Sequence, residues 1–194
     1  MTEQLRSFIA VSVPPEAAVK LRTAQDRLRQ ADPGVKWVDP ENFHVTLKFL
    51  GNVDRQLLTD LWHAVGEALN GTRRFTMRFR GLGAFPTIAR PRVVWAGISG
   101  GASELTQLAT RVEEACAQHG FEREDRSFRA HLTLGRARHP GPSPALASIL
   151  TELAQADLGQ TEVDRTLLMK SQLVRSGAVY SVLEQQPLRE GDHP

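Results

Sequence analysis

Two short stretches hold the residues best suited to chemistry: His44-Val45-Thr46-Leu47-Lys48-Phe49-Leu50-Gly51 and His131-Leu132-Thr133-Leu134-Gly135-Arg136. Both read His-x-Thr-x, and both sit in short runs of alternating apolar residues. A strand puts residues i and i+2 on one face. His44, Thr46 and Lys48 are therefore expected on one face, with Val45, Leu47 and Phe49 on the other. In the second copy His131 and Thr133 point one way and Leu132 and Leu134 the other. Two positions along a strand are about 6.6 Å of rise, which keeps each hydroxyl near its own imidazole. A chain that builds this unit twice is expected to face the copies towards each other across one cleft.

Two histidines aimed at a common point can serve as general base and general acid in one turnover, because their ordinary pKa lies near neutrality. Two threonine hydroxyls can donate to oxygens that carry charge in the transition state. A phosphodiester suits this set. It needs a proton taken from attacking water, a proton delivered to the leaving oxygen, and donors for its non-bridging oxygens. Arg136 follows Thr133 by three positions, and its planar fork matches phosphate. Lys48 is expected to add charge from the His44 face. The other four histidines are assigned no role.

The elements that must position these residues follow from periodicity and punctuation. Ser7 to Val13 reads as a strand, and a helix follows Pro14-Pro15 as far as Ala31, with Ala17, Ala18, Leu21, Ala24, Gln25 and Leu28 on its stripe. The first motif strand runs from about Phe43 to Phe49, and Gly51-Asn52 reads as a turn. Asp54 is an N-cap for a helix burying Leu57, Leu58, Leu61, Trp62, Val65 and Leu69. A strand at Phe75 to Arg80 leads to a loop at Gly81 to Pro86, and Arg92 to Ile98 is another strand. A helix covers Ser103 to His119, and the second motif strand spans about Phe128 to Gly135. A connector at Pro140 to Pro144 precedes a helix with Leu146, Ile149, Leu150 and Leu153. A hairpin closes the chain, with one strand over Thr161 to Val174, a turn at Ser176-Gly177 and a second strand to Leu183. The order is a weak internal duplication. It predicts an α+β fold of two related lobes with a groove between them, as one bilobal domain over residues 1–186 and a loose tail at 187–194.

Composition bounds the alternatives. The chain has 194 residues, 41% hydrophobic and 24% charged, which is ordinary for a globular protein. A net charge of +2 is spread rather than blocked, so charge alone does not imply nucleic acid. One cysteine, Cys116, excludes an internal disulfide and a cysteine-rich zinc site. The N-terminal stretch is too short and polar for a signal peptide, and no apolar run is long enough to span a membrane, so a cytoplasmic protein is expected. No compact His/carboxylate spacing suggests a metal site, and neither a Gly-x-Ser-x-Gly elbow nor a P-loop occurs. Arg78, Arg80, Arg90 and Arg92 flank Phe85-Pro86. An aromatic ring beside arginines is what base stacking with phosphate contact requires, and core packing of Phe85 is the alternative.

The paired motifs resemble the signature of the two-histidine (2H) phosphoesterase superfamily. The longer contexts, Glu41 to Gly51 and His131 to Arg136, closely resemble the bacterial and archaeal RNA 2′,3′-cyclic phosphodiesterases, also called 2′-5′ RNA ligases. Arg6 to Val11, Gly83-Ala84-Phe85-Pro86, Arg92 to Gly97, and Ser171-x-Leu173 with Tyr180 extend the likeness from about Arg6 to Leu183. The resemblance implies a bilobal α+β fold whose two lobes of antiparallel sheet and helices are related by a pseudo-twofold axis, with the active-site cleft between them. It implies hydrolysis of a 2′,3′-cyclic phosphate to the 2′-phosphate without metal or cofactor. His44 would protonate the leaving O3′ and His131 would activate water, while Thr46, Thr133 and Arg136 hold the phosphate. Ligation to a 2′-5′ linkage would be a side activity. The substrate would be RNA with a 2′,3′-cyclic phosphate end or a cyclic nucleotide, and a monomer is expected. Two other readings stay open at this point: an RNA- or nucleotide-binding module without turnover, and a phosphodiesterase acting on a cyclic phosphate in a non-RNA small molecule.

Overall fold

The apolar run Phe8-Ile9-Ala10-Val11 has no wet face, and it forms the buried centre of β1 (Gln4–Ser12), an inner strand of its sheet. A computed structural model describes residues 3–32, 34–139, 141–174 and 177–190. Among these, the remaining elements are α1 (Val19–Ala31), β2 (Val35–Trp37), β3 (His44–Asp54), α2 (Arg55–Leu69), β4 (Phe75–Thr87), β5 (Arg90–Gly100), α3 (Ala102–Gln118), β6 (His131–Ala137), α4 (Pro144–Glu152), β7 (Asp157–Val163), β8 (Arg165–Val174) and β9 (Gly177–Pro187). The strands form two sheets, ordered β3-β1-β8-β9 and β2-β6-β5-β4-β7. Every pairing in them is antiparallel. This is the two-lobed α+β architecture expected from the sequence, with one motif strand, β3 or β6, in each sheet.

The helices are exchanged between the lobes. α1 leaves β1 of the first sheet but packs on β2, β7 and α4 of the second lobe. α3 joins β5 to β6 of the second sheet but packs chiefly on β3 and α2 of the first. Its start is set by Gly101 at φ +75°, where a Cβ would lie 2.6 Å from the Thr76 carbonyl. α2 begins at Asp54, whose carboxylate accepts the Gln56 N–H at 2.8 Å, the cap expected from sequence, but Leu57, expected on its buried face, lies in the first turn and is 39% exposed. The buried side of α1 includes Gln25, which is fully buried and donates through Nε2 to the carbonyls of Val38 (2.7 Å) and Leu134 (2.9 Å). A polar residue on an apolar stripe thus ties α1 to the second motif strand.

Several boundaries differ from the sequence reading. Gly81 to Pro86 is not a loop: β4 runs on to Thr87, and Gly81 at φ +74° absorbs a register shift against β5. Gly51-Asn52 lies within β3, which continues to Asp54. Thr161 to Val174 is not one strand, because the chain turns at Asp164 and β7 and β8 enter different sheets. The expected tail is tied down beyond 186. Leu188 is buried, and the Arg74 N–H donates to the Arg189 carbonyl at 2.9 Å. The turn residue Ser176, the connector residue Pro140 and residues 191–194 lie outside the described residues. No described helix is long and apolar enough to cross a membrane.

Candidate active site

The two motif strands share one irregularity, and it decides which side chains meet. On β3 the register against β1 jumps so that Ala10 opposes Thr46 and Ile9 opposes Lys48, leaving Leu47 as the extra residue. On β6 the register against β5 jumps so that Trp95 opposes Thr133 and Val94 opposes Gly135, leaving Leu134 as the extra residue. Both bulges fall immediately after the threonine. A bulge inverts the alternation beyond it. His44 and Thr46, like His131 and Thr133, stay half-buried on one face, with Val45, Leu47, Leu132 and Leu134 in the core. Three positions after the threonine, the residue returns to the histidine face. In β6 that residue is Arg136, which is exposed; in β3 it is Phe49, 57% exposed.

Lys48 is the correction that follows. It does not share the His44 face. The bulge turns it inward to 3% exposure, where its ammonium bonds Glu113 at 3.0 Å and the Glu122 carbonyl at 2.7 Å. The Glu113 carboxylate also accepts the Glu124 N–H at 2.9 Å. Lys48 is a strut between β3, α3 and the segment at 122–124, and its charge is spent there.

The two imidazoles are held alike. His44 Nδ1 lies 2.7 Å from the Asn42 carbonyl, and His131 Nδ1 lies 2.6 Å from the Arg129 carbonyl. A carbonyl oxygen only accepts, so each Nδ1 carries the hydrogen and each Nε2 is left with a lone pair when the ring is neutral. The Asn42 carbonyl is itself set by a 3-10 turn over Pro40–Asn42, capped by Asp39 through the Glu41 N–H. Burial lowers both imidazole pKa values, the backbone bonds oppose this, and the Arg136 cation adds a further lowering at both rings. One guanidinium is thus felt at both histidines. β3 and β6 pack on one another, which brings the two half-sites together across the lobe boundary.

Aromatic rings wall both imidazoles. The His44 ring lies 5.0 Å from Phe8 and 5.3 Å from Tyr180. The His131 ring lies 5.3 Å from Phe85, which leans on Trp95 at the same separation. Phe85 is therefore in the site, though packed against a histidine rather than presented as a free ring. The four arginines near it in sequence do not cluster. Arg78 and Arg80 sit beside Gln160 and Asp157 on β7, whereas Arg90 and Arg92 are at the hairpin tip. About 16 Å of strand separates Arg80 from Phe85.

Sequence reasoning assigned no site role to Phe8, Phe49 or Tyr180. The signal for Phe49 was available: it stands at the same offset from its histidine as Arg136 does, and only strict alternation argued against it. Phe8 and Tyr180 reach His44 through tertiary structure, and no local spacing points to them. Among the described residues, no group of three or more His, Cys, Asp or Glu side chains comes together in a way that would hold a metal ion.

A family model described as LigT like Phosphoesterase matches residues 11–95 and 98–180, one segment for each His-x-Thr unit. A protein of Aeropyrum pernix named RNA 2′,3′-cyclic phosphodiesterase is 38% identical over 166 residues, covering 84% of this chain and 92% of its own. One of the same name from Archaeoglobus fulgidus is 37% identical over 179 residues, covering 92% and 98%. Among solved structures, TT0787 of Thermus thermophilus superposes with a TM-score of 0.81 at 30% identity, covering 97% of this chain and 100% of that one. E. coli LigT complexed with 3′-AMP superposes at 0.72 and 25% identity, covering 96% and 99%. With both halves matched and the duplicated half-sites in place, this chain belongs to the LigT-like phosphoesterase family.

Proposed function

We propose that this protein hydrolyses 2′,3′-cyclic phosphates at RNA ends or on nucleotides, leaving a phosphomonoester on the 2′-oxygen. The observation that carries this is the mirrored pair of imidazoles, each pinned through Nδ1 to a carbonyl two residues earlier, with the Arg136 cation acting to lower the pKa of both. The names of the curated relatives supply the substrate class. Water attacks phosphorus and gives its proton to His131 Nε2. The P–O3′ bond breaks, and His44 Nε2 delivers a proton to O3′. Thr46, Thr133 and Arg136 hold the non-bridging oxygens, whose charge grows in the transition state. With both pKa values lowered, both rings are neutral in the free protein near neutral pH. A bound phosphate anion favours the charged ring and supplies the protonated acid.

Phe49 is the exposed ring on this face and the natural platform for the base. Beyond it opens a cavity of about 710 Å³ whose lining includes Asp54, Glu122, Glu124 and Asp125. Lys48 and Arg123 also line it, and four carboxylates against two cations leave it net acidic, so RNA upstream of the terminal nucleotide is expected to leave the cleft on another side. Ligation is a side reaction of the same groups. The working unit is one bilobal domain over 1–186 together with the bonded residues to Arg189, acting as a cytoplasmic monomer.

The test is turnover of 2′,3′-cyclic AMP in excess EDTA, with the product's phosphate position read by ³¹P NMR. The expected result is 2′-AMP, lost in His44→Ala and in His131→Ala by two to four orders of magnitude, roughly the size of a general acid or base contribution. No turnover of the mononucleotide or of a cyclic-ended oligonucleotide would overturn the proposal.

A further inference from the structure

We propose that Tyr180 and Phe85 are a matched pair of positioning residues, one for each imidazole, which hold the rings square to the cleft and keep water from their flanks. The inference rests on the paired-histidine reading above and adds the groups that make the two histidines competent.

The geometry is nearly the same in both half-sites. Tyr180 meets His44 at 5.3 Å and 87°, and Phe85 meets His131 at 5.3 Å and 89°. These edge-to-face contacts come from unrelated places in the chain, β9 for Tyr180 and β4 for Phe85. Each ring is braced by a second aromatic, Trp95 behind Phe85 and, in the other half-site, Phe8, which also meets the His44 ring itself at 5.0 Å. Tyr180 meets Phe8 at 5.2 Å and 74°, and Phe85 leans on Trp95 at 5.3 Å. Trp95 in turn fills the space over Gly83, where a Cβ would lie 2.3 Å from the indole. The backing is built into the sheet, and neither wall is a loosely held surface ring.

A single Nδ1–H bond fixes one point of an imidazole but leaves its outer torsion soft, because sp³–sp² torsions have broad wells. A ring edge set at a right angle blocks that swing. The Nε2 lone pair is then aimed at a constant place, which proton transfer requires. The same apolar wall displaces water, and burial is the leading cause of the lowered pKa at both histidines. The groups facing His44 are Phe8, Tyr180, the Asn42 carbonyl and the Arg136 cation; those facing His131 are Phe85, the Arg129 carbonyl and the same Arg136. Because Arg136 is common to both, a change confined to one histidine isolates the ring beside it.

The test combines two measurements on the full chain. The first is NMR titration of the imidazoles in the free protein, for the parent, Tyr180→Ala, Phe85→Ala and Tyr180→Phe. The second is kcat and KM on 2′,3′-cyclic AMP and on glycerol 1,2-cyclic phosphate, which has no base. Tyr180→Ala is expected to raise the His44 pKa towards its ordinary value and leave His131 in place; Phe85→Ala is expected to do the reverse. Each lowers kcat on both substrates by about tenfold to a hundredfold, the scale of a misaligned reacting group. Tyr180→Phe keeps both the titration and kcat. Unmoved titrations with a loss confined to KM for the nucleotide would overturn the proposal and make the rings base platforms. The titration needs no turnover, so it decides this point even if the substrate reading fails. Phe85→Ala is an independent arm if Tyr180→Ala does not fold.

Discussion

Replacing Lys48 by Met separates a structural lysine from a phosphate-binding one. The substitution keeps the aliphatic stem and removes the ammonium. It leaves the Glu122 carbonyl without its donor and reduces the Glu113 carboxylate, 20% exposed, to the Glu124 N–H. Breaking a fully buried ion pair costs about 3–5 kcal/mol. Glu113 keeps partial access to water and Glu124 lies at the rim, so about 2–3 kcal/mol is the expected cost here. In a chain of this size each kcal/mol moves Tm by about 2–4 °C, which places the fall at roughly 4–12 °C. Thermal unfolding followed by circular dichroism measures it. kcat/KM on 2′,3′-cyclic AMP, taken well below the transition, is expected to stay within about threefold of the parent, because the Lys48 ammonium is turned to Glu113 and the Glu122 carbonyl; loss of an oxyanion donor would cost about 10²–10³. Lys48→Met with Glu113→Leu recovers part of the stability, since neither charge is then left alone, while the Glu122 carbonyl and the Glu124 N–H still lose their partners. An unchanged Tm with a hundredfold loss of kcat/KM would refute the reasoning and return Lys48 to the phosphate.

Arg136→Lys keeps the charge but loses the planar fork, and kcat/KM should fall by about tenfold to a hundredfold; Arg136→Ala should fall further and raise both imidazole pKa values in an NMR titration. The two lowered pKa values make stability depend on pH in one direction. Above the ordinary value of 6.5 both folded and unfolded chains hold these rings neutral; below it the unfolded chain takes up protons first, so stability falls as pH drops from 6.5 towards the folded values. Tm measured between pH 7.5 and 5.5 should show this decline, and His44→Asn with His131→Asn should flatten it. Phe49→Ala should raise KM for 2′,3′-cyclic AMP by about tenfold or more while leaving glycerol 1,2-cyclic phosphate unaffected, as expected for the loss of roughly 1–3 kcal/mol of base stacking.

The sequence carried the half-sites because His-x-Thr is local: two residues on one strand need only the period of the strand to share a face. It misled one residue later. Alternation carried past Thr46 selects Lys48, and carried past Thr133 it selects Gly135, yet both strands bulge at the leucine between. A bulge is set by how neighbouring strands register, and a single strand's sequence does not display it. Arg136 was named for its guanidinium chemistry, and the bulge is the reason it faces the histidines. Gly81 looked like a loop residue because glycine is the commonest punctuation, although here its positive φ only shifts the register inside β4. Tyr180 has no chemical pattern around it, and its place beside His44 is created by sheet order alone. The helices were legible from their stripes, but which lobe each would cover was not, since an apolar stripe does not say what it will meet.

That exchange of helices bears on how the protein comes apart. Following the chain, β1 lies in one lobe, α1 and β2 in the other, β3 and α2 back in the first, β4 and β5 in the second, α3 in the first, β6 to β7 in the second, and β8 with β9 in the first. Neither lobe can shed its helical cover without dragging on strands of its neighbour. Unfolding is then a single cooperative event in which His44 and His131 lose their carbonyl anchors together, and amide exchange in the two sheets should report one common opening free energy. A cut in the turn after α2 would yield two fragments, each holding strands of both sheets and each lacking a helix that covers its lobe, α3 in one and α1 in the other, so activity should return only when the two are refolded as a pair.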